Sequence, residues 1–253
     1  MDPLSVGLTV FAFVFGGALF GMYLGRVLPQ ELLSADARDV IKVSMAMVAT
    51  LAALVLGLLT DSSRTSLEAR EEELRNMAAK VIHLDRTMAE YGPETAEARS
   101  LLQQVLVARI SLIWPEENRA TVVPEAISRG AGVEDVQEKL LALSPKNEAQ
   151  RWHQSTALQV TRDIAAARWS FLEQIGSIIH WPFLAVVVFW LAVVFASFGL
   201  FAPTNASVTV ALFVAALSVA GSLYLILEMD QPYRGLIKIS SAPLRTALAE
   251  LGR

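Results

Sequence analysis

The chain contains no cysteine, which excludes a disulfide, a thiolate nucleophile, an iron–sulfur cluster and a cysteine-based zinc site. It is also short of charge. Only 18% of its 253 residues are Asp, Glu, Lys or Arg, against about 25% in soluble globular proteins, and 54% are hydrophobic. That balance argues against a soluble enzyme. A net charge of −4 and a pI near 5.5 argue against nucleic acid as a partner. The scarcity is uneven, since residues 61–173 hold 32 of the 46 charged side chains. The other 140 residues share 14, a density suited to lipid or a very large core.

The apolar part divides into runs long enough to cross a hydrocarbon layer of about 30 Å at 1.5 Å per helical residue. Pro3 to Gly25 carries no charge, and Arg26 closes it. It reads as a span and not a cleaved signal peptide, because Asp2 replaces a basic leader, the run is too long, and no convincing A-x-A site follows. A second span runs from Val43 to Thr60, between Arg38, Asp39 and Lys42 on one side and Asp61 on the other. Gln174 to Leu227 is free of Asp, Glu, Lys and Arg. Pro203-Thr204-Asn205 reads as a turn within it, giving a third span near Ile178–Ala202 and a fourth near Ser207–Leu227.

Four spans place the N-terminus, the 61–173 segment and the C-terminus on one side. Arg64, Arg70, Arg75, Arg162, Arg168, Arg234, Lys238, Arg245 and Arg253 lie there, against Arg26, Arg38 and Lys42 in the first opposite loop and none in the second. The positive-inside rule then makes that side cytoplasmic. The expected organisation is two spans in 3–60, a cytoplasmic helical insert at 61–173, two spans in 174–227 and an interfacial tail at 228–253. Within the insert, Leu67, Leu74, Met77, Val81, Leu84 and Met88 recur at helical spacing and stop at Gly92-Pro93. With no turn signal between Thr60 and Glu68, the second span should continue as one long helix. A second helix should start near Thr95, with Leu101, Leu102, Val105, Leu106 and Ile110 inward, and stop before Trp114-Pro115. Residues 115–132 read as irregular, and a short helix follows at Val133–Leu143. After Ser144-Pro145 a long helix should bury Trp152, Leu158, Ile164, Phe171, Leu172 and Ile175. In the tail, Leu236, Ile237 and Ile239 form an apolar strip, and Leu244, Leu248 and Leu251 a short terminal helix. The fold class is an all-α integral membrane protein.

Few residues suggest chemistry. Gly17, Gly21 and Gly25 form a tandem G-x-x-x-G that clears one helix face for close approach of another backbone. Ala46, Thr50, Ala53 and Gly57 form a similar face on the second span. Both faces allow two readings, packing of one span on the other or an interface between subunits or around a pore. The apolar cores hold no ionisable group, which argues against proton-coupled transport. The mouth candidates are Asp61 and the segment after the fourth span, Glu228, Asp230, Pro232, Tyr233, Arg234 and Gly235, where Pro232 should end the helix and Gly235 permit a sharp turn. His83, His153 and His180 lack ligand spacing, so no metal is expected. No nucleophile elbow, phosphate loop or H-E-x-x-H motif is present, and neither enzymatic activity nor a cofactor is expected.

Leu28-Pro29 through Leu33-Ser34, Asp36-Ala37-Arg38-Asp39-Val40 and the run from Ala49 to Leu59 together resemble the bacterial bestrophin-like family. The Asp230-Gln231-Pro232-Tyr233-Arg234-Gly235 segment resembles that family's Asp-x-Pro-aromatic-x-Gly signature, and the resemblance covers essentially the whole chain. It implies kinship with anion channels that assemble as homopentamers. Nothing here matches the aromatic and aliphatic neck of true bestrophins or their acidic calcium clasp. The resulting expectation is a homo-oligomeric channel of the bacterial inner membrane, both termini cytoplasmic, with lipid, inorganic ions and copies of itself as partners. Anions would pass along a pore lined by the second span. The alternative is a non-conducting scaffold or sensor whose insert binds a cytoplasmic partner.

Overall fold

The computed structural model describes residues 2–28, 35–115, 132–173, 181–203, 205–230 and 235–252. Among these residues lie eight α-helices and one 3₁₀ turn, with no strand. The helices are α1 (Pro3–Val27), α2 (Ala35–Tyr91), α3 (Ala96–Ile113), α4 (Val133–Leu141), α5 (Glu148–Glu173), α6 (Trp181–Phe201), α7 (Ala206–Met229) and α8 (Ala242–Glu250). Four of them, α1, α2, α6 and α7, are long and apolar enough to cross a membrane. No break interrupts the 57 residues of α2. The chain divides into two compact units, residues 1–67 with 177–237, and residues 68–176 with 238–253.

The first unit is built on α1. Pro3 opens this helix at a position that needs no backbone donor. Its glycine face meets α6: a Cβ on Gly17 would lie 2.7 Å from the Ala192 carbonyl oxygen, and one on Gly25 2.6 Å from that of Leu200. Between them, a Cβ on Gly21 would overlap the Ala196 carbonyl oxygen, and one on Gly199 of α6 would overlap that of Ala18. The contacts rise in step along both helices, so α1 and α6 are parallel. Against α7 the order reverses, with Gly7 beside Tyr224 and Phe11 and Phe15 edge-on to Phe213 at 5.3 and 5.4 Å. Four successive crossings require this alternation of direction. Val10, Val14, Ala18, Leu184, Val187, Leu191, Phe195, Ala216, Ala220, Leu223 and Ile226 form the shared core. The connection between α6 and α7 turns at Pro203, where the Asn205 N–H bonds to the Pro203 carbonyl at 2.8 Å.

The second unit has its own core. Leu74, Val81, Leu84 and Met88 are buried along α2, as their spacing predicts. The helix stops at Gly92, whose φ of 131° is open to glycine, and the Thr95 hydroxyl donates to the carbonyls of Met88 and Gly92 at 2.6 and 2.8 Å. On α3, Leu102, Val105, Leu106 and Ile110 face inward. Gln154 of α5 donates to the Leu140 and Leu143 carbonyls, closing the end of α4. The buried face of α5 differs from expectation. Ala157, Val160, Thr161 and Ile164 point inward, whereas Trp152 is 61% exposed. Trp152 is five residues before Ala157, about 140° around the helix, so it cannot share that face. Phe171, Leu172 and Ile175, expected inward, lie outside the residues whose side chains are described, as do nearly all of 115–132. Ile239, Leu244, Ala247 and Leu251 are buried in this unit, while Leu236 of the same strip is exposed. The buried Trp114 indole N–H donates to the Ile239 carbonyl at 2.8 Å.

Candidate functional site

The transmembrane part of α2 presents three longitudinal faces, fixed by a step of 100° per residue. Ala52 is buried, and Val55, Leu56 and Leu59 beside it pack on the core of the first unit. The rest of the circumference is exposed. One half of it carries large residues, Val43, Met47, Leu51, Leu54 and Leu58. The other half carries the small residues Ala46, Thr50, Ala53 and Gly57, all exposed, and a Cβ on Gly57 would meet nothing within 4 Å. Thr50 donates its hydroxyl to the Ala46 carbonyl at 2.9 Å, and Thr60 donates to Leu56 at 2.8 Å. These hydroxyls are satisfied by their own helix. The stripe is therefore narrow, apolar and weakly polarised, without a group that would bind an ion tightly.

Rim charges flank it. Lys42 and Asp39 form an ion pair at 3.8 Å, exposed on both sides, a geometry that contributes little in water. Asp61, at the other end, is exposed.

The far end of α7 is more elaborate. Glu228 is only 3% exposed, and its carboxylate accepts the backbone N–H of Leu236. Gly235 makes the fold-back possible, because its φ of 109° suits glycine and any Cβ there would run into the Glu228 carboxylate. Asp230 terminates the helix, half-buried. Pro232, Tyr233 and Arg234 lie outside the described residues. Sequence reasoning placed Glu228 at a mouth but missed its role as an acceptor. The available signal was the pairing of a lone acid at a span end with a glycine seven residues on.

A second feature missed from sequence is in the other unit. Asp85 receives Arg99 through two hydrogen bonds of 2.7 and 2.8 Å and the Gly252 N–H at 3.2 Å. Asp85 and Arg99 each stand seven residues from Gly92, the turn between their helices, so opposite charges equidistant from a hairpin turn were the legible clue. Arg75 reaches Glu71 and Glu72 at 3.6 and 3.7 Å, ion pairs on a solvated helix face. His153 Nδ1 faces Glu90 at 3.4 Å, and His180 lies outside the described residues. Among the described residues no three His, Cys, Asp or Glu converge as a metal site would require.

Apolar helices of spanning length that alternate in direction define a multi-pass helical membrane protein. Its family follows from the whole sequence. Residues 12–244 match the family model described as the bestrophin-like domain, and the chain belongs to the bestrophin-like family. No curated protein and no solved structure matches it.

Proposed function

We propose that the protein is a homo-oligomeric ion channel of the bacterial inner membrane that passes anions passively along a pore lined by α2. The observation that carries this reading is the stripe of Ala46, Thr50, Ala53 and Gly57, exposed among the described residues. Several copies of α2 arranged around an axis would use that stripe to leave room and the adjoining Val43, Met47, Leu51, Leu54 and Leu58 to pack on neighbours. With apolar walls, such a pore gates by dewetting. With no ionisable group in the apolar cores, movement through it is permeation down a gradient. Both termini and the second unit are then cytoplasmic, a placement that the excess of basic residues on that side supports. The assembly is a pentamer by kinship with the bestrophins. The test is conductance of the purified protein in planar bilayers, with Gly57→Leu as the blocking variant. Gly57 faces open space, so the variant keeps the fold and abolishes current. Silence towards every common anion and cation would sink the proposal.

One observation favours a different reading, a non-conducting scaffold whose second unit binds a partner. Leu112, Leu141 and Trp152 are each more than 60% exposed on that unit. Such a scaffold has no axial opening, so an imaged oligomer distinguishes the two.

A further inference from the structure

Within the second unit, α2 and α5 run side by side in opposite directions. Gln150 donates to the Tyr91 carbonyl at 3.1 Å and His153 faces Glu90 at 3.4 Å, so rising numbers on α5 meet falling numbers on α2. Further along, the described residues of the two helices leave a groove of about 430 Å³ unfilled, a volume in the range of small-molecule sites. Buried Val160 lines its apolar base, but its walls are polar. On one wall α2 places Lys80 and His83, a turn apart on the same face. On the other α5 places Thr156, Gln159 and Asp163, at helical spacings of three and four. Both helices rise equally per residue, so ten residues beyond the His153–Glu90 contact Asp163 stands level with Lys80 across the groove. Opposite charges thus face each other, yet among the described residues neither side chain has an ion-pair or hydrogen-bond partner, and nor do those of His83, Thr156 and Gln159.

We propose that this groove binds a small zwitterion, an amino acid or a short ω-amino acid, whose carboxylate sits on Lys80 and whose ammonium sits on Asp163. The charge arrangement selects for it. An ion of one sign is attracted by one wall and repelled by the other, whereas a ligand carrying both signs forms a charge-assisted hydrogen bond on each side. His83 adds a ring N–H to the carboxylate end, and the Thr156 hydroxyl and Gln159 carbonyl oxygens beside Asp163 accept from the ammonium end. Because His83, Gln159 and Asp163 are exposed, water competes for these groups and the expected Kd is about 1 mM. Every residue of the site belongs to the second unit, so the site stands whether or not the protein conducts.

Saturation-transfer NMR on the full chain in detergent micelles tests it, with empty micelles as the blank. The probes are glycine, 4-aminobutyrate and 6-aminohexanoate, which differ in the spacing of their two charges. At least one should bind near 1 mM, and butyrate and propylamine, each carrying a single charge, should bind about tenfold more weakly or worse. Lys80→Met and Asp163→Asn should each weaken the bound zwitterion about tenfold. Asp163→Asn should also improve butyrate binding, because it removes the like charge from the facing wall. Glu138→Gln, which removes one exposed negative charge from α4, should leave the affinity at the parent value. Melting midpoints verify that the variants are folded. No binding by any of the three zwitterions below about 10 mM, butyrate binding as tightly as 4-aminobutyrate, or unchanged affinity in both Lys80→Met and Asp163→Asn would refute the site. A lowered midpoint in both variants without probe binding would also refute it, since Lys80 and Asp163 would then serve only each other.

Discussion

Gly21 gives the sharpest quantitative test of the packing between α1 and α6. An added methyl there would overlap the Ala196 carbonyl oxygen and lie 2.7 Å from its carbon and 3.0 Å from its Cα. All three are backbone atoms and cannot swing aside, so the helices must separate. Restoring contact near 3.5 Å takes a retreat of about 1 Å, which forfeits a quarter to a half of the dispersion well for each atom pair along the seam. Gly16, one residue earlier, has nothing within 4 Å of its virtual Cβ. Gly16→Ala and Gly21→Ala share the same change in helix propensity, so the difference between them isolates the overlap. Overpacking of this kind costs about 1–3 kcal/mol. At about 2–4 °C per kcal/mol for a chain of this length, Gly21→Ala should melt about 2–12 °C below Gly16→Ala. Thermal unfolding in detergent, followed by far-ultraviolet circular dichroism, measures it. Equal midpoints would refute the parallel contact, and Gly199→Ala, which overlaps Ala18 from the other side, should behave like Gly21→Ala.

Three further outcomes follow from the second unit. Trp152→Ala should shift stability by less than about 0.5 kcal/mol because the ring is exposed. Ile164→Ala on the buried face should cost about 3 kcal/mol, and a reversed order in melting experiments would refute the assigned face. Asp85→Ala leaves Arg99 and the Gly252 N–H without their acceptor, and a loss of about 3 kcal/mol is expected from the same melts. The Glu94–Lys146 and Glu97–Lys139 pairs set a pH window. The Lys146 ammonium, hydrogen-bonded to Glu94, holds that carboxyl below its ordinary 4.5, so its contribution is present above 4.5 and vanishes as pH falls through the folded value. Lys146 and Lys139, hydrogen-bonded to Glu94 and Glu97, are raised above 10.5, so theirs is present below 10.5 and fades as pH rises through the folded value. A melting midpoint flat between these limits is expected. Because these side chains are exposed, salt should erase the effect. A slope persisting at high salt would assign it to other groups.

Much of the secondary structure was legible because its causes are local. Charge-free runs mark α1, α6 and α7, and the stripe ending at Gly92 marks the end of α2. The candidate stripe of Ala46, Thr50, Ala53 and Gly57 was legible as well, since a period of 3.6 places small residues on one face whatever surrounds them. Less was legible where a partner had to be chosen. Ala46 and its neighbours and Gly17, Gly21 and Gly25 looked equally suited to packing one span on the other. In the structure the glycines meet α6, and the α2 stripe is exposed among the described residues. Trp152 was misassigned because hydrophobicity was read without its angle on the helix.

The sequence by itself determined that this protein is helical, that four of its helices can cross a membrane, and where those helices fall. Backbone groups in lipid must be satisfied within each segment, so length and composition suffice. Only the tertiary structure decided that α1 lies parallel to α6, that Asp85 is shared by Arg99 and Gly252, and that Glu228 grips the amide of Leu236. A periodic pattern defines a face but not what covers it, and a lone carboxylate does not say which distant N–H will fold back to meet it.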